Sequence, residues 1–312
     1  MKLFLSRLSI LFIFMAAALP VLAQQPQPLK VVVSIKPLHS LVAGVMAGVA
    51  EPQLLIQSGG SPHGYALRPS EARMLADAEL IIWVGEQLEG FLIKPLSSLG
   101  KTAEKLVLAE SLAADLLPMR AGGEWEKDAD SEDHHPKHDD NITYNQHLWL
   151  DPLLAKKIVT QTELTLSRLD PGHQQTYQQN AALLRQKLDH LHAELQAQLA
   201  PVRQIPYIVF HDAYPYFEKA YGLNAVGSIT INPERKPSAK QIIEIRKKIG
   251  ELKARCVFSE PQFEPKLVAT VIEGSRARTG ILDPLGTGLP AGVESYFLLL
   301  HAMADNLVAG LK

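Results

Sequence analysis

The sequence predicts an α/β protein of two similar lobes, each a mostly parallel sheet with flanking helices. Three observations carry that expectation. Short runs rich in valine and isoleucine alternate with helical stretches between residues 29 and 108. The same alternation restarts after Pro201. Between the two lies one long helical stretch in which Ala181, Leu184, Leu188, Leu191, Leu195 and Leu199 recur at three- and four-residue steps, forming a single apolar stripe. Strands that alternate with helices pair in parallel, because a parallel neighbour needs a crossover connection and a helix supplies it.

Taken in order, residues 1–23 read as a secretory signal peptide. Lys2 and Arg7 precede an apolar run that ends at Val21-Leu22-Ala23, and cleavage is expected after Ala23. No cysteine stands at that point, so no lipid anchor is expected. The first lobe spans 24–170. It holds strands near 29–35, 54–56, 79–84 and 105–108, with helices near 38–46, 71–76 (capped by Ser70) and 88–99. Residues 124–140 interrupt this pattern with eight acidic residues and His134, His135 and His138, and read as a surface loop. Residues 171–199 form the connecting helix, with Asp170 as its cap, Pro171 in its first position and Pro201 beyond its end. The second lobe, 200–312, holds strands at 207–210, 225–231, 256–258 and 280–282, and helices at 238–253, 265–273 and 294–311.

Composition narrows the function classes. The chain is 46% hydrophobic and 21% charged, which fits a globular protein and excludes wholesale disorder. With 31 basic and 33 acidic residues it lacks a basic footprint, so no nucleic-acid partner is expected. Cys256 is the single cysteine, which excludes a disulfide framework and any zinc module built on several thiolates; it reads as a buried, inert core thiol. The 11 histidines point elsewhere. His63 follows a strand and the turn Gly59-Gly60-Ser61-Pro62. His147 sits where a loop enters a helix, His211 directly follows a strand, and Asp283 follows Gly280-Ile281-Leu282. Open α/β sheets place ligands at the carboxyl ends of their strands. Three neutral imidazoles and a carboxylate suit a tetrahedral borderline metal, Zn2+ above all, although any single strand-end histidine can equally be a hydrogen-bonded structural residue. His39, His173, His190, His192 and His301 read as surface or capping residues.

The neighbouring residues add a resemblance. Gly60-Ser61-Pro62-His63 with Leu67-Arg68-Pro69-Ser70, then His147-Leu148-Trp149-Leu150-Asp151-Pro152, resemble the metal-binding components of cluster A-I ABC importers. Val209-Phe210-His211-Asp212-Ala213-Tyr214-Pro215, Ser259-Glu260-Pro261-Gln262-Phe263 and Leu282-Asp283-Pro284-Leu285-Gly286 continue the match in order, over essentially the whole mature chain. The resemblance implies two four-stranded lobes, a rigid linking helix and a metal cleft between them. It also implies a monomeric periplasmic solute-binding protein, not an enzyme, that captures Zn2+ and delivers it to a membrane permease.

Carried over by position, His63, His147 and His211 are the imidazole ligands and Asp283 matches the family's acidic position. Manganese-type relatives carry a carboxylate where His211 stands, so that residue favours zinc over Mn2+ or Fe2+. Pro62 occupies a place where some zinc members carry a glutamate, and the C-terminus lacks the cysteine that some pair with the position of Cys256. The loop histidines imply a weak secondary metal site. A secreted zinc hydrolase is the competing class, but no His-Glu-x-x-His stretch is present, and only Asp212 and Glu260 offer themselves as a base. Histidine ligands must be neutral, so affinity is expected to fall as pH drops through roughly 6.5.

Overall fold

A computed structural model describes residues 28–57, 59–120, 143–230, 233, 239–263 and 265–312. The signal segment and the loop with His134, His135 and His138 lie outside the described residues. The N-terminal sheet holds β1 (Val31–Val33), β2 (Gln53–Leu54), β3 (Leu80–Trp83) and β4 (Glu104–Val107), all parallel, in the order β2-β1-β3-β4. The C-terminal sheet repeats the plan with β5 (Tyr207–His211), β6 (Ala225–Thr230), β7 (Cys256–Ser259) and β8 (Arg278–Ile281), ordered β6-β5-β7-β8. Helices α1 (Lys36–Val45), α2 (Pro69–Asp77), α3 (Ile93–Ser98) and α4 (Leu108–Ser111) accompany the first sheet. Helices α7 (Pro215–Tyr221), α8 (Ala239–Glu251), α9 (Pro265–Ile272) and α10 (Ser295–Leu311) accompany the second.

The alternation of side chains along each strand builds three cores. Val31, Val33, Leu80 and Ile82 face one way while Val32, Ile81 and Trp83 face the other. In the second sheet Tyr207, Val209, Cys256 and Phe258 face inward, and Ile208, Phe210 and Val257 outward. The two inward faces belong to one continuous hydrophobic cluster, so the halves share a core. Fully burying one such leucine or valine contributes about 1.5–3 kcal/mol, which makes the shared core the main bond between the halves.

Two long helices run through that cluster. Helix α5 (Pro152–Leu169) and helix α6 (Gln174–Leu199) are joined by a single 3-10 turn, Pro171–His173, and lie antiparallel. The sequence reading named only the second of them. Every member of the expected stripe, from Ala181 to Leu199, is buried on α6, which at 1.5 Å per residue is about 39 Å long. Gly44 lets α1 lie close: a Cβ there would stand 2.9 Å from Leu184. Asn180 of α6 then satisfies the carbonyls of Val45 and Ala47 at the end of α1.

Several local expectations are corrected. Helix α2 starts at Pro69, so Ser70 lies inside its first turn, and the Glu71 carboxylate accepts the Arg68 amide instead. Asp170 donates no cap to α6, because its carboxylate is taken by the His173 ring at 2.7 Å and the Tyr177 hydroxyl at 2.8 Å. The helix expected over 88–99 is a 3-10 turn, Gly90–Leu92, followed by α3. His190 is exposed as expected, but His192 is partly buried and stacks on Tyr221, with its Nδ1 buried and unpartnered. His39 is also buried, and its Nε2 pairs with the Pro52 carbonyl. Cys256 is fully buried, and desolvation pushes its thiol up to about 12, which fits an inert thiol.

Candidate metal centre

Three histidines from distant parts of the chain meet between the two sheets. His63 ends the segment that follows β2, and its amide donates to the Ser61 hydroxyl at 3.3 Å. His147 precedes the 3-10 turn Leu148–Leu150 and is buried against Trp149. His211 is the last residue of β5, where the strand order of the second sheet reverses between β5 and β7. Ring centroids of His63 lie 5.5 Å from His147 and 5.7 Å from His211, and those of His147 and His211 are 5.0 Å apart. One ring nitrogen from each of the three lies within 4.8 Å of the others.

Hydrogen bonds assign the tautomers of two rings. His147 Nδ1 is 3.1 Å from Asn145 Oδ1, which can only accept because it also receives the His147 amide at 3.0 Å. His211 Nδ1 is 2.5 Å from the Glu260 carboxylate, again an acceptor. Both Nδ1 atoms therefore carry a proton, which leaves the Nε2 of each ring, when neutral, as a lone pair. Those two Nε2 atoms face each other at 3.2 Å. Two neutral lone pairs cannot hydrogen-bond, and the third ring adds another orphan, since His63 Nε2 is buried without a partner. A cation between them resolves the conflict. At a Zn–N length of 2.0–2.1 Å, tetrahedral ligands stand about 3.3 Å apart, close to the 3.2 Å between His147 Nε2 and His211 Nε2.

The electrostatics agree. Desolvation, reinforced by the neighbouring His211, lowers His63 to about 3, and desolvation with His211 and His63 holds His147 well below the usual imidazole range. Both rings therefore stay neutral far below pH 6.5. Proton competition at these two ligands is displaced to more acidic pH than the sequence suggested.

Asp283 is set apart from the three imidazoles. Its Oδ1 accepts the amides of Leu285 and Gly286 at 3.0 and 3.1 Å and the Gln262 side chain at 2.7 Å, and its Oδ2 accepts the Thr287 amide at 2.5 Å. Its lone pairs hold its own loop. The carboxylate that does reach the cluster is Glu260, directly after β7. Glu260 is buried, touches His211 through Oε1 and leaves Oε2 without a well-formed hydrogen bond. The sequence had offered it as a base for a hydrolase and equally as a residue that supports the ligands or the fold, and its strand-end position is the same signal that singled out His211.

A second layer fixes these side chains. Asn145, besides orienting His147, donates to the Asp212 carbonyl at 2.6 Å and so links two ligand segments. Arg120 forks onto the carboxylates of Asp212 and Glu218, the latter at 2.6 Å. Burial still pushes Glu218 up to about 7 despite that partner. Nothing in the sequence marked Arg120, because its partners lie 92 and 98 residues away.

Comparison with known proteins decides the family. The family model for ZnuA, the periplasmic component A of the zinc-uptake complex, matches residues 31–310. The chain belongs to the ZnuA family. It is 44% identical over 300 residues to the high-affinity zinc uptake system protein ZnuA of Brucella abortus, covering 89% of this chain and 90% of that one. The protein of the same name from Yersinia pestis is 37% identical over 290 residues, covering 90% and 91%. A crystal structure of ZnuA superimposes with a TM-score of 0.75 at 23% identity, covering 91% of this chain and all of that one, and shows the same fold. As in the ZnuA fold, each half is a four-stranded parallel sheet and a long helix lies between them. No helix among the described residues is long and apolar enough to cross a membrane.

Proposed function

We propose that this chain is the periplasmic solute-binding component of a zinc importer, capturing Zn2+ between its halves and handing it to a membrane permease. The facing Nε2 lone pairs of His147 and His211, with the orphan Nε2 of His63 beside them, carry that reading. Three nitrogen donors favour Zn2+ over the oxygen-seeking Mn2+, and the neutral rings of His63 and His147 need no deprotonation at pH 7. The role is capture and release without turnover. In this reading His63, His147 and His211 hold the ion and Glu260 orients His211. Asp283 shapes the loop through its bonds to Leu285, Gly286 and Thr287.

The same reading treats residues 24–170 and 200–312 as lobes of a monomer, with 171–199 between them and 1–23 removed on export. His134, His135 and His138 serve as a weak secondary metal site.

Competitive titration of the metal-stripped mature protein with Zn2+ and Mn2+ tests the proposal. One tight zinc site is expected, weakened by more than about a hundredfold in His211→Ala, since structural zinc sites draw roughly 10–16 kcal/mol from about four ligands. Preference for Mn2+, or zinc binding indifferent to His211, would reject it.

A further inference from the structure

Lys36 opens α1 in the N-terminal half, yet its ammonium donates to three carbonyls of the C-terminal half. They are Gly286 at 2.7 Å, Thr287 at 3.0 Å and Leu289 at 2.7 Å. An ammonium has three N–H donors, so all three are engaged across a sequence separation of 250 residues or more. Asp283 grips the same loop through the amides of Leu285, Gly286 and Thr287. The loop thus turns its carbonyls to a cation on one half and its amides to an anion on the other. Gly286, at φ +63, adopts the left-handed conformation that allows this reversal. Burial lowers the pKa of Lys36 and the Asp283 charge opposes that shift, so the ammonium is held at some energetic cost.

What the loop touches gives this clamp its meaning. Pro284 and Leu285 line the pocket that contains His63, His147 and His211. The Pro284 carbonyl accepts the Trp149 indole N–H at 2.8 Å. Thr287 presses on the segment that ends in His63: a Cβ at Gly59 would stand only 2.0 Å from its methyl group. Gln262 ties Asp283 and Thr287 together at 2.7 and 2.8 Å.

We propose that Lys36 is a positioning residue of the metal site, a latch that holds the Pro284–Leu285 wall against the His63 segment and so slows release of the bound ion. The latch deepens the zinc reading above and rests on it.

Lys36→Met keeps most of the apolar stem and removes the donors, while Lys36→Arg keeps the charge in a planar fork that cannot aim three donors from one point. Two readouts are needed: zinc release into excess chelator by stopped flow, and hydrogen exchange of the Leu285–Thr287 amides in metal-free protein. Losing charge-assisted hydrogen bonds should speed release by about tenfold in Lys36→Met and less in Lys36→Arg, with faster exchange at the same three amides. A lowered melting temperature with wild-type release and exchange would mark Lys36 as merely structural and overturn the latch. If Lys36→Met does not fold, Lys36→Arg carries the same test. Wild-type protein that takes up no zinc would overturn the functional reading instead, and the exchange data would then decide the loop contact alone.

Discussion

Each sheet reverses its strand order once, between β1 and β3 in the first and between β5 and β7 in the second, and each reversal holds a buried glutamate. In the N-terminal crevice Glu89 is fully satisfied. It accepts the Ser34 hydroxyl at 2.5 Å and the amides of Val84 and Gly85 at 3.2 and 2.9 Å. In the C-terminal crevice Glu260 takes the His211 ring on one oxygen, lies within reach of the Tyr214 hydroxyl, and leaves Oε2 without a well-formed hydrogen bond. Identical topology therefore yields one crevice whose carboxylate is satisfied and one whose carboxylate is not. The strand order creates the place, but the hydrogen-bond balance decides whether anything is left over to bind a ligand.

The contrast breaks most visibly at the N-terminal crevice. Glu89→Ala would leave the Ser34 hydroxyl and two buried amides without an acceptor, at about 1–3 kcal/mol for each group that stays unsatisfied. Metal-free protein should lose on the order of 3 kcal/mol in urea unfolding, while zinc affinity per folded molecule stays unchanged. A stability loss below about 1 kcal/mol would mean that the N-terminal crevice is not held together by its carboxylate.

At the C-terminal crevice the expected pattern is the reverse. In Glu260→Gln the amide oxygen still accepts the Nδ1 proton, so the imidazole keeps its orientation but loses the charge that raises its basicity. Zinc affinity should fall by about tenfold or more, with stability moved by less than about 1 kcal/mol. An unfolding penalty as large as that of Glu89→Ala, with zinc binding intact, would make the two glutamates equivalent and remove the distinction.

How much of this was legible in the sequence follows from the range of each interaction. The sheets and α6 were readable because periods of two and 3.6 residues are local, and Val31–Val33 or Leu184–Leu199 declare them directly. His211 was readable because strand ends are where such sheets bind. The contacts of Asp283 were not: sequence placed it at a strand end, but only coordinates reveal that three amides of its own loop bond to its carboxylate. His39 and His192 read as surface residues because helical position alone does not reveal a neighbour such as Pro52 or Tyr221. Lys36 and Arg120 were invisible for the same reason, since each finds its partners in the opposite half.

The two crevices should also titrate in opposite senses, and this is the smallest net effect because the contributions oppose each other. His63 is lowered to about 3 in the folded chain, against an ordinary value near 6.5. Below pH 6.5 the unfolded chain takes up a proton there that the folded chain refuses. Its contribution to stability is therefore full above 6.5 and drains away as the pH falls toward 3. His147, also lowered, acts in the same direction. Glu89 is raised to about 7 by burial, against an ordinary carboxylate near 4.5. The folded chain binds its proton below about 7, and the unfolded chain binds one only below 4.5. That group's penalty at neutral pH is thus relieved as the pH falls between those values. Metal-free wild type compared at about pH 7 and about pH 5 should show a shallow slope, the residue of this cancellation. Each single variant removes one contributor: His147 still acts alongside His63, and Glu218, also pushed up to about 7, alongside Glu89. His63→Asn should lose less stability on acidification than wild type, and Glu89→Gln should lose more, both read as the shift in urea midpoint. Equal slopes in all three proteins would mean that neither crevice excludes water well enough to move its titrating group, and the physical basis for distinguishing the two crevices would fail with it.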